Sequence, residues 1–359
     1  MKILFVCNTL YQIIVASCIR KMFPKHVAEI ILSDHSTANR DICRRFQETG
    51  LIFDKAYYVK TKYLYDYDGS MSKMKRIRTF QDKDSVLEMV ELDEKYDMFF
   101  CANAEPFTER IVNYVKRRNP NAIINWFEDG ISAYDYDKCY FPSKLLMTKW
   151  KIKRNLTGII NLTSIIDNFY VFEPNKMDWK PKAKLKRIDA LSQELISELN
   201  VIFNFRDCID KYEEKYIFFE DGALEWNDNT NLELLEIVAS IVGKENIIVK
   251  IHPRNPVNKF ESKGFKTNKD MSIPWEIITS NIDIENKVLI TMYSQSVITP
   301  DILLEKNGKA LVLGKLNKNF NNIDHTVFDY MEKHYFNENA SKYFVPKTTD
   351  QMKDILKKI

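Results

Sequence analysis

The residues of this sequence that could do chemistry are a histidine beside cations, carboxylate pairs after apolar runs, and hydroxyls ahead of a helix. Lys250-Ile251-His252-Pro253-Arg254 places one imidazole and two cations at the end of the apolar run 246–251. Such a cluster suits a leaving phosphate, with Pro253 fixing the backbone and an imidazole that titrates near neutrality. A lone histidine is more often structural; its place after a buried run, between basic neighbours, favours function. Trp126-Phe127-Glu128-Asp129-Gly130 ends another apolar run in two carboxylates and a glycine. An acidic pair there is commonly a solvated turn or a helix cap, but Asp129 is also where a general base could deprotonate an acceptor hydroxyl. The tripeptide recurs as Glu220-Asp221-Gly222, and Asp228 lies in the loop that follows. Asp221 and Asp228 are therefore rival bases, and at least one Glu-Asp-Gly copy is a plain turn. Ser294 and Ser296 stand between the apolar run 288–291 and a helix expected at 300–304, where hydroxyls and backbone N–H groups can receive phosphate. Serine turns are equally common as simple caps. Glu276, just after Pro274-Trp275, offers a carboxylate of the kind that holds ribose hydroxyls. Asp66-Tyr67-Asp68 and Asp135-Tyr136-Asp137 imitate a metal-binding D-x-D, but neither directly ends an apolar run, so no metal site is expected.

The elements that must carry these residues read as strands alternating with helices. Residues 2–7 form an apolar strand, and 10–22 carry apolar residues at helical spacing. Short apolar runs at 28–33, 98–101 and 122–127, with a helical stretch at 105–118, repeat the pattern of a parallel sheet covered by helices. A lysine-rich connection, 176–187, and a polar amphipathic stretch around 191–203 mark the inter-domain linker. A second series follows, with strands at 216–219, 247–251, 288–291 and 310–313 and a helix at 231–242. The expected fold class is α/β of the GT-B type, two Rossmann-like doubly wound domains facing a central cleft. The boundaries are 1–175 for the first domain, 176–214 for the linker and its helices, 215–345 for the second domain and 346–359 for a closing helix.

Composition narrows the function classes. At 359 residues the chain exceeds one ordinary core, and its 45% hydrophobic content supplies two. The 53 basic and 50 acidic residues nearly cancel, which argues against a general nucleic-acid binder. Six cysteines without C-x-x-C spacing indicate neither zinc nor a disulfide framework and fit a reducing cytosol. The N-terminal apolar run is too short for a signal peptide, and no stretch is long enough to span a bilayer. Phosphate-binding, nucleophile-elbow and dinucleotide-binding glycine motifs are all missing, so kinase, hydrolase and dehydrogenase readings fall away.

Taken in order, these segments resemble the bacterial lipooligosaccharide and capsular sialyltransferases of glycosyltransferase family 52, and the related bacterial polysialyltransferases. The resemblance covers most of the chain. It starts in Cys7-Asn8-Thr9-Leu10-Tyr11-Gln12 and continues in Glu128-Asp129-Gly130, which is similar to the family's acidic motif. Lys250-Ile251-His252-Pro253 resembles the HP motif, Pro274-Trp275-Glu276 the segment on the cytidine ribose, and Ser294 with Ser296 the serine motif near the CMP phosphate. Two departures stand out. Gln295 separates two serines that are usually adjacent, and some relatives take the base from the second domain. The resemblance implies an inverting, metal-independent transfer from CMP-sialic acid to a terminal galactose-type acceptor, with no cofactor. Asp129 is then the base, and His252 assists the departing CMP. Lys250, Pro253, Arg254, Glu276, Ser294 and Ser296 bind the nucleotide. It also implies a homodimer in some members. The charge run 176–187 points to a peripheral place on the cytoplasmic face of an anionic inner membrane. The alternatives are a GT-B transferase with another nucleotide-sugar or polyol donor, and a non-catalytic scaffold of polysaccharide assembly.

Overall fold

The computed structural model describes residues 1–62, 90–92, 95–135, 148, 152, 162–222, 229–252, 255, 257–306 and 308–359. The chain divides into two compact units, Met1–Ile202 and Phe203–Ile359.

In the first unit the chain runs β1 (Lys2–Cys7), α1 (Leu10–Lys21), β2 (Val27–Ser33), α2 (Asn39–Thr49), β3 (Lys55–Val59) and β4 (Met98–Cys101). The helix Pro106–Arg118, β5 (Ile123–Phe127), β6 (Asn168–Val171), β7 (Lys184–Arg187) and the helix Gln193–Ile202 follow. Every strand pair is parallel, in the order β3-β2-β1-β4-β5-β6-β7. A parallel sheet is covered on both faces, and its central strands are therefore continuous apolar runs rather than alternating ones. Ile3, Leu4, Phe5, Phe99 and Phe100 are fully buried, and the Phe5 and Phe100 rings stack at 4.7 Å. The order reverses between β1 and β4, and the carboxyl ends of strands at such a reversal are the usual ligand position in sheets of this kind.

The second unit repeats the design with β8 (Tyr216–Phe219), β9 (Ile247–Lys250), β10 (Lys266–Thr267), β11 (Val288–Thr291), β12 (Lys309–Val312) and β13 (Tyr343–Phe344). They are again all parallel, in the order β10-β9-β8-β11-β12-β13. Here the reversal lies between β8 and β11. Helices Asn229–Val242, Trp275–Asn281 and Thr299–Leu304 connect the strands, and the last helix, Thr349–Leu356, buries Met352 and Leu356 in the core of this unit.

One segment differs from the sequence expectation. The stretch 176–187 was expected as linker, yet its end is β7, the edge strand of the first sheet, with all four side chains exposed. The helix Gln193–Ile202 also belongs to the first unit. It rests on α1 and α2, Lys21 reaches Glu194 and Glu198 at 2.9 and 2.8 Å, and Arg45 donates to the Ile202 carbonyl. A strand held by backbone pairing needs no apolar pattern, which is why a run of lysines could conceal one.

Candidate functional site

At the carboxyl edge of the first sheet the polar residues are tied together across neighbouring strands. Thr9 caps α1 by accepting the Gln12 backbone N–H at 3.2 Å. In the usual capping box the third residue of the helix would reach back to the cap's own N–H. Here the Gln12 side chain accepts instead from Asn8 N at 2.7 Å, and its amide nitrogen donates to Asp129 Oδ2 at 2.8 Å. The Asn8 amide in turn donates to Asn103 Oδ1 at 3.2 Å and Glu105 Oε2 at 2.9 Å, and His35 Nε2 lies 3.4 Å from the same Glu105 oxygen. The two acids after β5 divide their roles. Glu128 is 1% exposed and accepts from Tyr11 at 2.7 Å, from the Phe172 backbone N–H at 2.9 Å and from the Tyr134 hydroxyl. Burial nevertheless pushes its carboxyl up to about 7, against these three donors. Asp129, one residue on, is exposed. Gly130 then turns the chain at φ 86°, a region open to glycine.

The second sheet gathers its residues around β8, β9 and β11. Glu220 accepts the His252 backbone N–H at 3.0 Å, which fixes where the chain leaves the sheet after β9. The His252 ring packs against Gly222: a Cβ at that glycine would stand 2.4 Å from both Cε1 and Nε2. Asp221, 1% exposed, joins β8 to β11 through weak bonds from Tyr293 N and Thr291 Oγ1, each at 3.4 Å, and its Oδ2 is buried without a partner. Burial pushes it up to about 8, and the neighbouring Glu220 charge adds to the rise. Burial thus favours its neutral form and keeps the carboxyl away from an incoming hydroxyl. Ser294 donates its backbone N–H to Thr291 Oγ1 at 2.8 Å, and its hydroxyl accepts from Ser296 N at 3.3 Å and pairs with the Ser296 hydroxyl at 3.0 Å. Trp275 Nε1 donates to the Ser296 carbonyl at 2.9 Å, so the segment before Glu276 and the serine turn are joined. Lys250, half-buried at the end of β9, is held below its ordinary range by burial, a shift that the Glu276 charge opposes. Glu276, 9% exposed, is raised by burial and drawn back by its own backbone N–H and by Lys250.

The family model described as alpha-2,8-polysialyltransferase (POLYST) matches residues 3–313. The chain belongs to this family. It is accordingly a glycosyltransferase of the sialyltransferase class, and the resemblance drawn from the motifs holds. Comparison with curated proteins gave no match. Among solved structures it is similar to the alpha/beta-galactoside alpha-2,3-sialyltransferase of Photobacterium phosphoreum (12% identity, TM-score 0.50, 96% of this chain and 98% of that one). It is likewise similar to Arabidopsis thaliana UGT89C1 complexed with UDP (9%, 0.57, 99% and 90%) and to the glycotransferase of kitacinnamycin (10%, 0.53, 99% and 90%). At these identities the likeness speaks for the fold, which is GT-B.

Within this polysialyltransferase family member, the residues expected from sequence fall at the carboxyl edges of the two sheets. Asp129 lies on the first; Asp221, Lys250, His252, Glu276, Ser294 and Ser296 lie on the second. Asp228, Pro253, Arg254, Asp66 to Asp68 and Asp137 lie outside the described residues. Among the described residues no three His, Cys, Asp or Glu side chains converge as metal ligands. Sequence reasoning gave no role to Tyr11, Gln12, Glu105 or Gly222. Only Gln12 left a signal, the Thr9-x-x-Gln12 spacing of a capping box; the rest depend on contacts between strands distant in sequence.

Proposed function

We propose that the chain transfers sialic acid from CMP-sialic acid to the terminal sugar of a bacterial surface glycan, with inversion and without a metal ion. The observation that carries this reading is the gathering of His252, Ser294, Ser296, Lys250 and Glu276 around one sheet edge, in a chain of the polysialyltransferase family. In this mechanism the second unit binds the nucleotide, with Glu276 on the ribose and the serines and Lys250 beside the phosphate. As the glycosidic bond breaks, the transition state is oxocarbenium-like and negative charge grows on the departing CMP phosphate. His252 stabilises that charge or protonates it. Asp129, exposed and held by a buried amide, takes the proton of the acceptor hydroxyl. Asp129 is preferred to Asp221 as the base because Asp221 is buried, whereas Asp129 is open to an incoming acceptor.

The acceptor is a terminal galactose in the reading from the motifs. The family's description favours a second reading, a glycan already ending in sialic acid and extended through an alpha-2,8 linkage. Purified protein incubated with CMP-sialic acid, UDP-sugars and both acceptor types decides among them. CMP should be released from CMP-sialic acid in the presence of one acceptor, in excess EDTA as well as without it. Turnover of a UDP-sugar, or loss in EDTA with rescue by manganese, contradicts the proposal. Asp129→Asn should lower kcat by roughly a hundred-fold or more while leaving CMP affinity unchanged, because the base touches only the acceptor; full activity in this variant would refute the assignment. No helix of the described residues is long and apolar enough to cross a membrane. The exposed basic strand Lys184–Arg187 supports peripheral attachment to an anionic membrane face. Flotation with liposomes that does not depend on anionic lipid rules this attachment out.

A further inference from the structure

A base on an exposed loop is useful only if it is held where the acceptor hydroxyl arrives, in its ionised form. We propose that Gln12 is the positioning residue that does this for Asp129, an inference that rests on the reading of Asp129 as the base. Gln12 is 1% exposed and is locked in the first turn of α1. Its backbone N–H is bonded to Thr9 Oγ1, its side-chain oxygen accepts from Asn8 N at 2.7 Å, and with these two bonds made its amide nitrogen points to Asp129 Oδ2 at 2.8 Å. The side-chain amide cannot flip without turning its oxygen to the carboxylate and its nitrogen to the Asn8 N–H, two repulsive contacts in place of two hydrogen bonds. A buried donor fixed in this way restricts the rotamer of an exposed carboxylate. It also favours the charged form, since a bond to the ionised oxygen is the stronger one.

This is a departure from the ordinary capping box, in which the third-position side chain returns to the cap residue. The displacement by one residue, to Asn8, leaves the amide nitrogen available to a second chain segment 117 residues away. Among the described residues, the other ionisable groups near this corner include Glu128 on the same loop with Tyr11 and Tyr134 bonded to it, Glu173, Cys7 and Cys101 at the ends of β1 and β4, and Glu105 with His35 beyond Asn8. Glu128 is taken up by Tyr11, Tyr134 and the Phe172 N–H, which leaves Asp129 as the carboxylate that Gln12 addresses.

The experiment is the pH dependence of kcat in the full-length enzyme, saturated with CMP-sialic acid and acceptor. Gln12→Glu keeps an oxygen for Asn8 N–H and replaces only the donor to Asp129, so the fold should persist and can be checked by its melting temperature. The acid limb of its kcat profile should move upward by about one pH unit or more, because two adjacent carboxyls share a proton. Gln12→Met, which removes the donor without adding charge, should lower kcat by about tenfold at neutral pH and shift the limb in the same direction. CMP affinity should stay at the wild-type value in both. An inactive Asp129→Asn together with an unmoved acid limb in Gln12→Glu overturns the inference alone. A fully active Asp129→Asn overturns the base assignment and the inference with it.

Discussion

Gly222 shows how a residue with no chemistry of its own can govern one proposed to carry it. The imidazole of His252 occupies the space a side chain would need, with ring atoms 2.4 Å from where a Cβ would stand. Real Cβ atoms do not tolerate such a separation, so in Gly222→Ala the ring must move. Because the backbone N–H of His252 is held by Glu220, the displacement falls on the ring rather than on the strand end. Misplacement by about 1 Å can cost on the order of a hundred-fold in rate. Gly222→Ala is therefore expected to lower kcat by roughly ten- to a hundred-fold with little loss of stability. Added to His252→Ala it should cost little more, since the two substitutions remove one interaction. Steady-state kinetics of the two single variants and the double variant provide the check; additive losses would mean that Gly222 matters for some other reason. The two Glu-Asp-Gly copies read alike in the sequence. Gly130 is needed for its positive φ, whereas Gly222 is needed for its missing side chain, a difference only the tertiary neighbours create.

At the level of the element, the serine turn and the helix Trp275–Asn281 are coupled by one indole N–H. Trp275 is 3% exposed, meets the Phe219 ring edge-on at 4.7 Å and donates to the Ser296 carbonyl. Trp275→Phe keeps an aromatic ring there and removes the donor, leaving a carbonyl unpaired. A net hydrogen bond of about 1 kcal/mol corresponds to roughly a fivefold effect. CMP affinity, measured by calorimetry or thermal shift, should fall by about that factor, with the acceptor KM unchanged; an unaltered CMP affinity would show that the link does not order the nucleotide side. The central strands β1, β2, β4, β5, β8, β9, β11 and β12 were legible in the sequence, because strands covered on both faces must be continuous apolar runs. β7, all lysine, leucine and arginine with every side chain exposed, was not, because its pairing with β6 depends on backbone groups that leave no pattern. β10 and β13, two residues each, are too short to show a period. The same division holds for the candidate site. His252, Asp129 and the serines follow apolar runs and stand out in the sequence; Gln12 shows there only as the Thr9-x-x-Gln12 spacing, while the ties of Gln12 to Asp129 and of Gly222 to His252, across 117 and 30 residues, leave no pattern.

Across the whole molecule, the two deeply buried acids link stability to pH. Glu128 lies in the first unit and Asp221 in the second, and burial raises both, to about 7 and about 8, from ordinary values of 4.5 and 3.8. A folded state that holds a proton longer than the unfolded chain loses stability as the pH rises. The contribution of each acid is complete below its ordinary value and is gone once the pH has passed its raised one. Each pH unit of that interval is worth on the order of 1 kcal/mol per group. Between pH 5 and 7 both acids act, so the decline is steep; between 7 and 8 only Asp221 still acts. Asn and Gln imitate the neutral forms, so the variants separate the two. Glu128→Gln should flatten the fall in melting temperature below pH 7 and leave the fall between 7 and 8 intact. Asp221→Asn should abolish the fall between 7 and 8 and, because burial favours the neutral side chain and Asp129 is the proposed base, keep turnover near the wild-type level at pH 7. Thermal unfolding followed at half-unit steps from pH 5 to 9 tests this. If Asp221→Asn keeps the wild-type slope between 7 and 8, the buried carboxyl is ionised in the native enzyme, and its exclusion as the base has to be withdrawn.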